Sequence, residues 1–236
     1  MHFSRIEILK NSFPGKDVYP FSLPVIQNND TIEFTTKITF FAGENGCGKS
    51  TVLNAIARSC GIYIWSERGW THCDKNPYKN ALYRYMKVDW VDNPKPGSLF
   101  SAENYDYFAK LIDQWASNDP GLLDYFGGKS LLTQSHGESF MSFFKSRYKI
   151  KGVYFLDEPE TALSPKWQLQ FRDFLAEMSA DGHAQFIIAT HSPILLSCPG
   201  ATILDFNSGQ IQSIPYKETE HYRVLHDFMR RIEAED

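Results

Sequence analysis

Gly43-Glu44-Asn45-Gly46-Cys47-Gly48-Lys49-Ser50 spells G-x-x-x-x-G-K-S, with Thr51 following. Glycines at these positions let a backbone turn tightly and come close to a ligand. A row of backbone N–H groups and a helix N-terminus can then hold a phosphate. Lys49 would reach the β- and γ-phosphates of a nucleotide, and the Ser50 hydroxyl would ligate Mg²⁺. A second group of reactive residues is Asp157-Glu158, two adjacent carboxylates at the end of an apolar run. Asp157 suits the Mg²⁺ coordination sphere. Glu158 suits a general base that takes a proton from attacking water. His191 comes directly after another apolar run, and its position favours a γ-phosphate contact. Ser135 with Glu138 three residues on forms a capping box. The same helix N-terminus could present donors to a second phosphate.

These groups need elements to hold them. Lys37 to Ala42 is rich in β-branched and aromatic residues and reads as a buried strand. Thr51 to Arg58 has apolar residues at helical spacing. Gly152 to Leu156 and Ala184 to Thr190 read as further buried strands. In a continued strand, the side chains of Asp157 and Glu158 would point to opposite sides. Ser164 can cap a helix with Pro165 as its first residue, and Trp167, Phe171, Phe174, Leu175 and Met178 share one face of it.

Residues 3–10 alternate roughly apolar and polar and read as a strand, followed by a turn at Asn11 to Gly15. Tyr19 to Ile26 and Thr31 to Thr36 read as further strands, giving a small antiparallel set ahead of the loop. Residues 59–134 are crowded with aromatics and poor in aliphatics. There Asn93 to Gly97 is a break. Ser101 can cap a helix bearing Phe108, Leu111, Ile112 and Trp115 on one face, which ends at Asp119-Pro120-Gly121. A closing hairpin is expected around Asn207-Ser208-Gly209. An amphipathic helix with Tyr222, Leu225, Phe228, Met229 and Ile232 follows.

With 42% hydrophobic and 22% charged residues, the chain has the composition of a soluble globular protein. No apolar run is long enough to span a bilayer, and the first residues lack a secretory hydrophobic core. A cytoplasmic location and no membrane partner are the expectations. Four scattered cysteines form no C-x-x-C pair, which argues against a disulfide framework or a zinc site. A formal charge of -4 argues against wholesale coating of nucleic acid. The one basic run, Lys145 to Lys151, could track a phosphate backbone. A solvated helix end explains it equally well.

Together these residues resemble the ATP-binding-cassette (ABC) class of P-loop ATPases, in particular its small stand-alone members. SMC heads and DNA-repair ATPase heads are wider relatives. On this resemblance Gly43–Thr51 is the Walker A motif and Val153–Glu158 the Walker B motif with its catalytic glutamate. Glu160–Pro165 is similar to the D-loop and His191 to the switch histidine. Gln134 to Phe140 resembles the signature motif, with Ser135, Gly137 and Glu138 as nucleotide contacts. It departs from L-S-G-G-Q at His136 and Glu138. Glu103 is the candidate for the Q-loop position near the metal.

The resemblance implies an α/β fold: a mainly parallel core sheet, an N-terminal antiparallel β subdomain and a helical lobe. It divides a single 1–236 domain into residues 1–58 (β subdomain and Walker A), about 60–130 (the helical or variable lobe), 131–214 and a C-terminal helix at 215–236. It implies ATP and Mg²⁺ as cofactors and an ATP-dependent homodimer, Walker A of one copy facing the signature of the other. A soluble switch with a nucleic-acid or effector-protein partner, in DNA repair or phage defence, is the leading role. The alternatives are the ATP-binding subunit of a membrane transporter and a non-hydrolysing ATP-binding module. His136 and Glu138 disfavour the first of these. The intact set of Lys49, Asp157, Glu158 and His191 disfavours the second.

Overall fold

A computed structural model describes residues 1–62, 76–101, 105–126, 128–148, 150–180 and 182–235. The elements run β1 (Phe3–Ile8), α1 (Pro24–Gln27), β2 (Thr31–Glu33), β3 (Ile38–Ala42), α2 (Lys49–Ser59), β4 (Met86–Trp90) and β5 (Gly97–Ser101). They continue with α3 (Tyr105–Ala116), α4 (His136–Arg147), β6 (Gly152–Asp157), α5 (Pro165–Ala180), β7 (Ala184–Ala189) and α6 (Pro193–Leu196). The chain closes with β8 (Thr202–Asp205), β9 (Gln212–Ser213) and α7 (Glu220–Glu235).

Six strands form one sheet in the order β5-β6-β7-β3-β8-β9, parallel except for β9. A second, antiparallel sheet has the order β2-β1-β4. The α/β architecture expected from the sequence is therefore present, with a mostly parallel sheet, an antiparallel sheet and helices.

The apolar runs in β3, β6 and β7 have a simple cause: both faces of the parallel sheet are covered. Successive side chains point to opposite faces. Phe40, Tyr154, Leu156, Phe186 and Ile188 join one buried cluster with residues of α3, α4 and α5. Their neighbours Phe41, Val153, Phe155, Ile187 and Ala189 join the other, with α2 and the antiparallel sheet.

Two expectations change. Tyr19 to Ile26 is not a strand; its C-terminal part is α1 and the rest is turn. Pro20 and Pro24 lack the N–H groups a strand ladder uses, and Pro24 is the first residue of the short helix. Among its described residues, the stretch 59–134 holds two strands as well as α3. β4 completes the antiparallel sheet, and β5 forms the edge of the parallel one. Ser101 is the last residue of β5, and α3 starts at Tyr105. Glu103 lies outside the described residues, as do Trp65, Trp70 and Lys149.

The C-terminal helix is present, but no residue of α7 is buried. Val224, Phe228 and Met229 are 64%, 55% and 47% exposed, so its apolar side is not core. Among the described residues, no helix is long and apolar enough to cross a membrane.

Candidate functional site

Strand order does most of the positioning. β6, β7 and β3 are neighbours, and parallel pairing aligns their carboxyl ends. Ala189 pairs with Phe41 on one side and with Asp157 on the other. The loop after β3, the carboxylates after β6 and the histidine after β7 therefore emerge side by side, where ligands of such sheets gather.

The loop runs from Gly43 to Gly48 and feeds directly into α2. Gly48 has φ +104°, and a Cβ there would come within 2.9 Å of Val25 Cγ1 on α1. The left-handed backbone and the close approach of α1 both call for glycine. The Lys49 side chain folds back over this loop. Only 4% exposed, its ammonium donates to the carbonyls of Gly43 at 2.7 Å and Glu44 at 3.0 Å. The Glu44 N–H in turn donates to Asn207 Oδ1 at 2.7 Å, which ties the loop to the turn between β8 and β9.

The Ser50 hydroxyl donates to Asp157 Oδ1 at 2.8 Å. Two hard oxygen donors are thus side by side, from α2 and from the end of β6, as a Mg²⁺ site requires. Tyr19 and Thr51 share a hydrogen bond between their hydroxyls at 2.9 Å. A cleft of about 700 Å³ opens beside these groups, lined by Tyr19, Ser50, Thr51, Asp157 and Glu158 among others.

Glu158 departs from the strand geometry expected of it. It adopts φ 47°, ψ 53°, among the described residues the one left-handed position that is not glycine. Such a conformation costs on the order of 1–3 kcal/mol and persists where its surroundings enforce it. Here its N–H donates to the Ala189 carbonyl at 2.9 Å. Simple strand alternation from Asp157 therefore does not describe the Glu158 side chain. Its carboxylate lies 3.5 Å from His191 Nε2.

His191 is held from two sides. Its backbone N–H donates to Glu160 Oε1 at 2.6 Å. Its ring Nδ1 shares a hydrogen bond with Nε2 of His221 on α7 at 3.2 Å. Burial, reinforced by the Lys49 charge, pushes the His191 pKa below its ordinary value, so the ring is neutral near pH 7. Burial raises the Glu160 pKa.

The capping box at α4 forms as expected. Both the N–H and the hydroxyl of Ser135 donate to Glu138 Oε2, at 3.2 and 2.8 Å. Those two bonds hold the Glu138 carboxyl below the usual range. Among the described residues, no hydrogen bond or ion pair joins Ser135, Gly137 or Glu138 to the Lys49–Asp157–His191 group. Of the basic run, Lys145 and Arg147 lie in the last turn of α4.

Gly137 has a packing reason. A Cβ there would fall 2.2 Å from Cδ1 of Trp167, the indole that α5 lays against the start of α4. Gly137→Ala should therefore destabilise the protein by about 1–3 kcal/mol through overpacking, more than the roughly 1 kcal/mol of helix propensity it gains. Thermal unfolding should show a melting temperature lower by several degrees. An unchanged or higher value would mean that Trp167 is not fixed against this helix.

Sequence reasoning missed Tyr19, Asn207 and His221, and it gave Glu160 no task. Glu160 carried the one available signal, a third carboxylate two residues after Glu158. The others come from elements far away in sequence.

Comparison with known proteins finds partial matches in sequence and fold. Residues 136–197 match the family model "AAA domain, putative AbiEii toxin, Type IV TA system", and residues 20–64 match a model described as "AAA domain". A "Putative uncharacterized ABC transporter ATP-binding protein YcjV" of Escherichia coli (strain K12) is 23% identical over 203 residues. That match takes in 80% of this chain and 55% of the relative, so the chain spans about half the length of the curated relatives it matches.

Among solved structures, cbiO1 from Clostridium perfringens, part of the ABC transporter complex cbiONQ, superposes with a TM-score of 0.51 at 16% identity. It covers 99% of this chain and 96% of its own. An SMC head bound to the C-winged helix domain of ScpA gives a TM-score of 0.49 at 13% identity, over 78% of this chain and 92% of that one. The chain is thus similar in sequence to an ABC transporter ATP-binding protein, and its fold is that of cbiO1.

Proposed function

We propose that this domain binds ATP with Mg²⁺ and hydrolyses it at composite sites formed head to tail by two copies, as an ATP-driven switch in the cytoplasm. The observation that supports this most is the convergence of Lys49, Ser50, Asp157, Glu158 and His191 at the ends of three neighbouring strands and one helix. Loop N–H groups and Lys49 hold the phosphates. Ser50 and Asp157 would hold Mg²⁺, which when bound neutralises phosphate charge. Glu158 accepts a proton from the attacking water, and His191 contacts a γ-phosphate oxygen.

The second copy enters because, among the described residues, no hydrogen bond or ion pair joins the start of α4 to this group. Its N-terminal donors, starting at Ser135, are supplied to the partner's γ-phosphate in this reading. Lys49→Ala and Ser135→Arg should each be inactive alone, since each damages both composite sites. Mixed, they can pair so that one site takes its loop from the Ser135 variant and its α4 from the Lys49 variant. Activity should then return in part, in the fractions where light scattering shows dimer. A wild-type monomer that hydrolyses ATP at a specific rate independent of protein concentration, with no recovery on mixing, would overturn the composite site. Absence of any Mg²⁺-dependent turnover at high protein concentration would overturn hydrolysis itself.

A further inference from the structure

His221 belongs to none of the nucleotide-binding motifs. It sits in the first turn of α7, thirty residues beyond His191, yet its Nε2 is 3.2 Å from Nδ1 of His191. The rings are 5.3 Å apart and tilted by 55°. On its other side, the His191 ring presents Nε2 to Glu158 Oε1 at 3.5 Å. That Nε2 is screened from water and, among the described residues, makes no hydrogen bond.

A neutral imidazole carries one hydrogen on its two nitrogens. A bare Nε2 would set its lone pair against a carboxylate oxygen, which is unfavourable. An Nε2–H would meet that oxygen favourably. Nδ1 is then bare and must accept, so His221 must donate. Both rings stay neutral by the same cause, since burial also lowers the His221 pKa.

We propose that His221 of α7 is a positioning residue for ATP hydrolysis: its Nε2–H fixes His191 as the Nε2–H tautomer, which turns that hydrogen toward Glu158 and the side on which a γ-phosphate oxygen would bind. This rests on the ATPase reading for the role of His191, but the hydrogen bond itself does not. The partner that orients a functional histidine often comes from another element and decides which ring nitrogen bears the proton. The C-terminal helix, with no buried residue of its own, thereby becomes part of the active site.

The test uses His221→Leu, which keeps bulk and removes the donor, and His221→Gln, whose amide can donate from nearly the same place. The leucine variant should lose roughly ten-fold or more in kcat, as loss of an orienting partner does. Its KM for ATP and its ADP affinity should stay near wild type. The glutamine variant should recover most of the kcat. Equal rates for wild type and leucine, or equal losses in leucine and glutamine, would overturn the proposal. Nitrogen-15 NMR of the histidine rings in nucleotide-free wild-type protein provides a readout free of turnover. It should show His191 protonated on Nε2 and bare on Nδ1. The opposite tautomer would overturn the proposal even if the variants fail to fold. A wild type that does not turn over ATP would sink the ATPase reading, while the NMR result would still decide whether His221 sets the tautomer.

Discussion

Glu158→Gln should bind ATP with Mg²⁺ as well as the wild type and hydrolyse it on the order of 10²–10⁴-fold more slowly, the worth of a positioned general base. The substitution is nearly isosteric, and the bond that fixes the left-handed backbone, Glu158 N–H to Ala189 O, does not involve the side chain. The fold should therefore survive, and the amide can still meet His191 Nε2 from the same place. What disappears is the ability to take a proton from water. Removing a negative charge from beside the γ-phosphate should leave affinity equal or higher. ADP affinity should barely move, because ADP has no γ-phosphate to repel. Single-turnover kinetics separate chemistry from binding here. In the composite-site reading the same variant should accumulate as an ATP-bound dimer in light scattering. Turnover at the wild-type rate would remove Glu158 from the role of base.

The parts of this site that could be read from sequence are those whose local pattern is fixed by burial on both sides. β3, β6 and β7 are continuous apolar runs because each strand feeds two cores at once. The polar residues at the end of each run then stand out: the glycine loop, Asp157-Glu158 and His191. Tyr19 to Ile26 misled because its aromatic and β-branched content favours strand. Pro20 and Pro24 remove the N–H groups a ladder would use, and Val25 is needed against Gly48. β4 and β5 were hidden for a different reason. β5 is five residues long, and its partner β6 lies more than fifty residues later. β4 pairs with β1 at the far end of the chain. His221 and Asn207 are long-range partners too, and no spacing rule connects them to the loop they serve.

Lys49→Ala should produce the other large effect. Its ammonium is nearly buried and, among the described residues, rests on carbonyl oxygens without a carboxylate in an ion pair. A buried charge without a counter-ion is costly. Nucleotide phosphates would supply that counter-charge, so the lysine belongs energetically to the bound state. Its loss should therefore be nearly silent without nucleotide and large with it. In nucleotide-free protein, removing Lys49 relieves a desolvation cost while losing hydrogen bonds to two carbonyls and a weak one to Cys47 Sγ, so stability should change little. In the presence of ATP, a charge-assisted contact worth about 1.5–3 kcal/mol is missing, which weakens affinity on the order of 10–10²-fold. At ATP near one hundred times the wild-type Kd, the wild type gains about 2.7 kcal/mol of stability. For a chain of this length that is a rise in melting temperature of roughly 5–10 °C. A variant binding about a hundred-fold more weakly sits near its own Kd and gains only about 0.4 kcal/mol, a shift of roughly 1–2 °C. Thermal unfolding with and without ATP therefore tests the assignment without any activity assay. A variant that melts far below wild type without nucleotide, yet keeps the full ATP-induced shift, would show that Lys49 serves the fold and not the phosphates.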